Sequence, residues 1–367
     1  MKKRRPTAKD VAQLARVSQS TVSMILNNYK NIHFTEETKT RVLEACNQLG
    51  YRTFGNSRLE SIAGKILLVV CPTLQNTHYT KVITGIQQRA RELGYTPLTM
   101  CTRRRDDEEA NVIHICRELR VAGVALIYQP ENKAILQLLN MQIPIVQVYE
   151  KTGNLGLNTI ELDNYKIGWL IAEHLVGLGH RYIAHVSKPL TEKQPARIRR
   201  VEGIRAYMES YGLDPQEYLR VSTVETEHLQ GHSPLEGYET GYLLASHLVD
   251  SGAPVTAFAA TNDTVAYGIM DAILERGKRI PQDYSVCGCD NLQDSKYQRI
   301  SLTTVEPYTM EKARDAVDLL VREIESQNIE IPKEDGPISI TRIEYAPRLI
   351  ARKSTGRCAE KTRVPQT

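Results

Sequence analysis

Gln19, Ser20, Ser23 and Met24 form the outward face of a short stretch in which Val22, Ile25 and Leu26 recur at helical spacing and turn inward. A glutamine amide can pair with an adenine edge through its donor and acceptor together, whereas a serine hydroxyl discriminates less between bases. The chemistry on offer there is recognition by hydrogen bonding. Positions 1–58 carry eleven Lys/Arg against four acids, a net +7, which leaves −3 for the remainder of a 367-residue chain whose total is +4. A basic module on a mildly acidic body is the electrostatic footprint of a nucleic-acid binder, because phosphate neutralisation supplies most of the non-specific affinity. A merely solvated charged face is the alternative that composition alone leaves open.

No GxxxxGK[ST], GxGxxG, HExxH or GxSxG occurs in the chain, so a phosphate loop, a dinucleotide site, a zinc protease and a hydrolase elbow all lack their signatures. The expectation is a protein that is not an enzyme and needs neither cofactor nor metal. The seven cysteines (46, 71, 101, 116, 287, 289 and 358) are odd in number and show no CxxC or Cys/His cluster; they read as free, reduced thiols. No apolar stretch approaches the ~20 residues of a membrane span, and Met1-Lys2-Lys3-Arg4-Arg5-Pro6 does not open a signal core, so a cytoplasmic location is expected.

The recognition face needs a small helical scaffold. Thr7 with Asp10 resembles a capping box, and Val11, Ala12, Leu14 and Ala15 then give one apolar face, which predicts a first helix from about residue 8 to 15. Arg16-Val17 makes a turn, Ser18 is a good N-cap for the second helix, and Asn27-Asn28 ends it. Thr35 with Glu36 and Glu37 opens a third helix whose stripe is Val42, Ala45, Cys46 and Leu49, with Gly50 at the C-cap. Three short helices with a tight turn between the first two match a helix-turn-helix, in which the second helix enters the major groove.

From Lys65 onward short apolar runs alternate with helical patterns. Residues 66–70, 124–127, 143–148, 182–186, 257–260 and 285–286 read as buried parallel strands, with helices over 82–93, 109–121, 165–178 and 202–211. This order predicts doubly wound α/β lobes. Gly85 leads to Gly94 at the same interval as Gly203 to Gly212, a faint repeat that two similar lobes would produce. Such lobes bind ligands at the carboxyl ends of their strands.

Thr7-Ala8-Lys9-Asp10-Val11-Ala12, Val17-Ser18-Gln19-Ser20-Thr21-Val22-Ser23, Leu26-Asn27, Thr38, Arg41-Val42 and Leu49-Gly50-Tyr51 resemble the headpiece of the lactose-repressor (LacI/GalR) family of bacterial regulators. The resemblance implies base reading by Gln19, Ser20 and the position of Met24, and DNA-backbone contacts by Thr7, Ser18, Thr21, Asn27 and Thr38. Gln19 and Ser20 also have a plain reading as surface. Arg16 stands where the family usually has Gly, and Met24 where it usually has Arg; methionine cannot fork onto guanine, so the operator should differ. The hinge departs further: Thr53-Phe54 replaces a Pro-Asn pair, Glu60 sits at the wedge position, and Leu59, one residue early, is the candidate for minor-groove insertion.

Leu162-Asp163-Asn164, Leu178-Gly179-His180-Arg181, Asn262-Asp263, Asp290-Asn291 and Leu302-Thr303-Thr304-Val305 continue the resemblance through a periplasmic-binding-protein-like sensor. By that resemblance Tyr79, with His78 beside it, stacks on an effector, while Arg200, Asn262 and Asp290 hydrogen-bond it. An aromatic plate with an arginine fork, an amide and a carboxylate suits a sugar or nucleobase. Each has a structural reading too: Tyr79 as lobe core, Arg200 as an ion pair with Glu202 or Asp290, Asp290 as a turn cap. The implied protein is a homodimeric repressor of a palindromic operator in double-stranded DNA, controlled by a small carbohydrate-like effector. Its expected parts are a headpiece over 1–52, a hinge over 53–64, a sensor over 65–350 and a flexible tail over 351–367. Within the sensor, lobe one is expected at 65–161 and 292–325, and lobe two at 162–291 and 326–350.

Overall fold

A computed structural model describes residues 6–26, 34–49, 51, 64–129, 138, 143–150, 156–192, 194–224, 236–327 and 340–359. The chain divides into two compact units, Met1–Gly64 and Lys65–Thr367. The expected Asn27 contact, the Gly50 cap and hinge positions 53–63 including Leu59 lie outside the described residues.

In the first unit α1 (Ala8–Ala15), α2 (Gln19–Leu26) and α3 (Glu36–Leu49) enclose Val11, Ala12, Ala15, Val22, Val42, Ala45 and Cys46. The start of α1 is fixed by a reciprocal cap: Asp10 N donates to Thr7 Oγ1 at 3.4 Å, and Thr7 N donates to the Asp10 carboxylate at 2.6 Å. Two residues expected in the core are outside it. Leu14 is 46% exposed and Leu49 36% exposed. At 14 residues α3 outlasts the 8-residue helices it packs on, so its last turn overhangs, and Tyr51 closes that end instead with its N–H on Cys46 O at 2.9 Å.

Among the described residues the second unit holds two six-stranded sheets. The first runs β11-β5-β4-β3-β1-β2, from β1 (Ile66–Cys71), β2 (Thr96–Cys101), β3 (Gly123–Leu126), β4 (Ile145–Glu150), β5 (Asn158–Leu162) and β11 (Arg342–Tyr345). The second runs β12-β10-β9-β8-β6-β7, from β6 (Ile183–Ser187), β7 (Leu219–Thr223), β8 (Ala257–Ala260), β9 (Ser285–Cys289), β10 (Thr303–Glu306) and β12 (Arg348–Ile350). All pairings are parallel except that of β10 with β12. The helices are α4 (Thr77–Glu92), α5 (Asp106–Glu118), α6 (Asn164–Gly177), α7 (Pro195–Ser210), α8 (Pro215–Tyr218), α9 (Glu236–Asp250), α10 (Asp263–Glu275) and α11 (Thr309–Gln327).

Two expectations about this unit are corrected. Residues 303–306 pair with β9 and 342–345 with β5, so the first belongs to lobe two and the second to lobe one; the reverse had been expected. The first part of the expected flexible tail is docked on lobe two: Ser354 and Cys358 are buried, Val286 N donates to Ser354 O at 2.8 Å, and Cys358 N donates to Leu178 O at 2.9 Å. Pairing Ser354 with the open backbone beside β9 satisfies groups that would otherwise be buried without partners.

The repeat of glycines has a packing cause. A Cβ on Gly85 would lie 2.6 Å from Ala313 Cβ on α11, and one on Gly203 would lie 1.9 Å from Tyr165 O on α6; each therefore allows one close helix–helix approach per lobe. Gly94 and Gly212 follow the ends of α4 and α7 at φ of 79° and 81°, the left-handed helix exit that glycine adopts without strain.

Candidate functional site

On α2 the side chains of Gln19, Ser20 and Ser23 are exposed, and Met24 and Thr21 partly so. Ser18 caps the helix, its Oγ accepting from Thr21 N at 3.0 Å, and the same hydroxyl lies 2.7 Å from Ser20 Oγ and 2.8 Å from Thr21 Oγ1. The helix thus opens on a row of three linked hydroxyls beside Gln19. Thr38 pairs with Thr35 Oγ1 at 2.8 Å in the first turn of α3, and Thr7 is held in the α1 cap. Arg16, in the turn between α1 and α2, has φ 54° and ψ 47°. That left-handed conformation explains why glycine suits the position, and arginine there carries a backbone cost.

In the second unit the carboxyl ends of the two sheets face each other. Thr77, at the start of the helix after β1, has Oγ1 3.3 Å from Thr264 Oγ1, after β8; Lys81 Nζ donates to Asp290 O, after β9, at 3.3 Å. His78 Nδ1 lies 3.5 Å from Asp290 Oδ1, within ion-pair reach though long for a hydrogen bond. His78, Lys81 and Asp290 therefore meet across one cleft.

Asp290 is 4% exposed, and both it and Asn291 have left-handed backbones, with φ of 113° and 44°. Such conformations cost energy in a non-glycine residue and cluster at functional sites. Burial pushes the Asp290 carboxyl up, but His78 and the positive charges of Arg200 and Lys81 outweigh it and hold the pKa below the ordinary carboxylate value. The loop is anchored by Asp263, whose carboxylate accepts from Leu292 N at 2.8 Å, Ser295 Oγ at 2.6 Å and Thr304 Oγ1 at 2.5 Å. Burial, then the nearby Asp290, raises the Asp263 pKa to about 7.

Arg200 on α7 donates through Nε to Asn164 Oδ1 at 2.7 Å and through Nη1 to Thr261 O. Its expected partner Glu202 is taken instead by Arg199, at 2.7 Å. Asn262 caps α10, its Oδ1 accepting from Val265 N at 3.0 Å. Tyr79 is half-buried, packs on the core of lobe one and meets the His78 ring edge-on at 5.7 Å. Tyr79 thus combines its core reading with a place next to His78.

Several polar groups near this cleft were not singled out from sequence. Lys312 on α11 is 2% exposed, and burial lowers its pKa to about 8 despite the nearby Cys289 and Asp290. His185, at the middle of β6, is buried, and burial with the charge of Arg200 lowers its pKa to about 4. Ser187 Oγ, at the end of β6, is buried without a hydrogen-bond partner. A polar residue inside an apolar strand is the sequence signal that could have found His185; Lys312 lies in an ordinary amphipathic helix and carries no such signal. Among the described residues no group of three or more His, Cys, Asp or Glu could hold a metal ion, and no helix is long and apolar enough to cross a membrane.

Comparison with known proteins agrees with this architecture. Residues 7–53 match the family model described as bacterial regulatory proteins, lacI family, and residues 172–355 match a periplasmic binding protein-like domain. The chain is 30% identical over 358 residues to the HTH-type transcriptional repressor PurR of Mannheimia succiniciproducens, covering 96% of this chain and 99% of that one. Its fold matches a LacI family transcriptional regulator from Enterococcus faecium with bound ribose, at TM-score 0.67 and 23% identity over 80% of this chain and all of that one. It also matches the lac repressor dimer bound to operator and the anti-inducer ONPF, at TM-score 0.66 and 24% identity over 96% of this chain and all of that one. A capped helix-turn-helix joined to a two-lobed sensor, matched along nearly its whole length by a repressor, places this chain in the lacI family of bacterial DNA-binding transcriptional regulators.

Proposed function

We propose that this regulator is a cytoplasmic repressor that binds a palindromic operator as a homodimer and changes its operator affinity when a small metabolite binds between its sensor lobes. The parts assigned are a headpiece over 1–52, a hinge over 53–64 and a sensor from 65 onward. Gln19, Ser20 and Met24 read bases in the major groove, while Thr7, Ser18, Thr21, Asn27 and Thr38 contact the DNA backbone and Leu59 enters the minor groove. In the sensor Arg200, Asp290 and Asn262 bind hydroxyl or amide groups of the effector, with His78 and Tyr79 against its plane. The chain recognises its ligands and turns nothing over.

The observation that carries the effector site is Asp290: an ionised carboxylate, buried in left-handed backbone, with His78 and Lys81 of lobe one against it. A group that belongs to one lobe and is touched by the other couples their closure to whatever it binds. A structural neighbour that holds ribose supports a small metabolite as the ligand class. The test is retention of an operator selected from randomised duplexes, repeated against a library of sugars, nucleobases and related metabolites. A metabolite that changes retention through the full-length protein and not through Asp290→Asn supports the reading. Equal responses of both proteins remove Asp290 from the site.

A further inference from the structure

The cleft carries more positive charge than a neutral effector would need. Arg197, in the first turn of α7, donates through Nη1 to Pro189 O at 2.9 Å. Burial above all brings its pKa down to about 10; Tyr79 and Glu236 act to raise it, and the charges of Arg200 and Arg104 act with burial, which puts both within electrostatic reach of Arg197. Arg104 comes from the other lobe, in the loop after β2, and lies over the buried Tyr128 ring at 4.9 Å. Lys188, after β6, is buried enough that its pKa falls, with Arg197 lowering it as well. The carboxylate that faces this group among the described residues is Glu236, already 2.9 Å from Lys188.

Two further features single out the same place. Arg103 and Arg104 are consecutive non-glycine residues with φ of 51° and 56°, a strained loop of the kind found where backbone geometry serves a ligand. Ser187 Oγ, next to Lys188, is fully buried and has no hydrogen-bond partner, a donor left for something outside the chain. Tyr128 is tied through its hydroxyl to Thr102 Oγ1 and Glu109, both at 2.6 Å, which fixes the ring under Arg104.

We infer that the effector carries an oxyanion, a phosphate or a carboxylate, seated between Arg104 of lobe one and Arg197 and Lys188 of lobe two, with Ser187 as a hydroxyl donor. The inference rests on the effector reading above and names the class of molecule that site takes. Forked guanidinium groups suit an oxyanion better than a neutral hydroxyl. Because its seat is drawn from both lobes, the anion bridges them, while the Arg200–Asp290 side of the cleft is left for hydroxyl or amide groups of the same molecule.

The test uses the full-length protein and matched probes: inorganic phosphate alone, glucose with glucose 6-phosphate and gluconate, and ribose with ribose 5-phosphate. Thermal shift and calorimetric titration are run at constant ionic strength set with chloride. At least one anion is expected to stabilise the protein where chloride does not, and a phosphorylated or carboxylated probe to bind more tightly than its neutral parent. A response to phosphate esters only, or to gluconate only, tells the two anions apart, and either supports the seat. Arg197→Gln, and independently Arg104→Gln from the other lobe, should weaken that binding by about ten-fold or more. Lys278→Gln, on the exposed surface, removes the same charge and should leave it unchanged. Failure of the full-length protein to hold any DNA site would refute the regulator reading and leave the seat to stand on its titrations. Binding of the neutral parents with no gain from the anion, no anion-specific response, or a response that survives both arginine substitutions overturns the seat and leaves the regulator reading in place.

Discussion

Asp290 offers a perturbation in which binding and folding respond in opposite directions. Its backbone at φ 113° is one that glycine occupies freely, and relieving such a residue is worth roughly 1–3 kcal/mol. The residue is 4% exposed, and its carboxylate faces His78 at 3.5 Å. If that carboxylate exists to hold the effector, Asp290→Gly should raise the melting temperature of the sensor, by about 2 °C for each kcal/mol gained. It should also weaken effector binding by about ten-fold or more, because one charge-assisted hydrogen bond in a desolvated pocket is worth on the order of 1.5–3 kcal/mol. Asp290→Asn keeps the shape and tolerates the left-handed backbone; it should lose the same affinity with little change in melting temperature. A structural role predicts otherwise, since breaking a buried ionic contact costs about 3–5 kcal/mol and would lower melting by roughly 6 °C or more. Scanning calorimetry of the three proteins, with titration of the metabolite selected by the operator screen, separates the cases. Both variants melting lower while binding normally would refute the reasoning.

Further outcomes are expected elsewhere. Met24→Arg should shift base preference at one position of each half-site, read by selection from randomised duplexes, with non-specific affinity changed far less; identical selected sequences would exclude Met24 from base reading. His180 is buried against Thr256 Oγ1 at 3.0 Å and Ser285 Oγ at 2.9 Å, and burial lowers its pKa to about 4. Keeping it neutral therefore adds stability that is fully present above its unfolded value near 6.5 and is lost as the pH falls toward 4, roughly 3 kcal/mol in all. The melting temperature of His180→Gln should accordingly fall less steeply over that window than that of the parent. Gly203→Ala would drive a Cβ to 1.9 Å from Tyr165 O, forcing α6 and α7 apart at a cost of about 1–3 kcal/mol and moving Arg200 away from Asn164; calorimetry and effector titration should both register it.

What could be read from the sequence follows the physics of each element. The caps at Thr7 and Ser18 were legible because a side-chain hydroxyl must meet an unpaired N–H there. Central strands such as β1, β3 and β8 were legible because both of their faces are buried, which writes an unbroken apolar run. The edge strands β2 and β7 were not, since partial burial leaves Thr96-Pro97-Leu98-Thr99 and Arg220-Val221-Ser222 without either pattern. The crossings between lobes were misplaced because β10 and β11, which carry them, are only 4 residues each, and β11 is an edge strand. In the cleft, Arg200 and Asp290 came from resemblance, whereas Arg104, Arg197 and Lys188 share no spacing, being brought together only when the ends of β2, β6 and α7 converge.

The measurement closest to the central claim is a salt titration of the full-length protein on a duplex selected from a randomised pool. A regulator whose headpiece neutralises several phosphates through a pair of copies should select an inverted repeat, and its log affinity should fall steeply and linearly with log salt, by about 0.9 for each phosphate neutralised. A selected pool without two-fold symmetry, or an affinity indifferent to salt, would contradict the account.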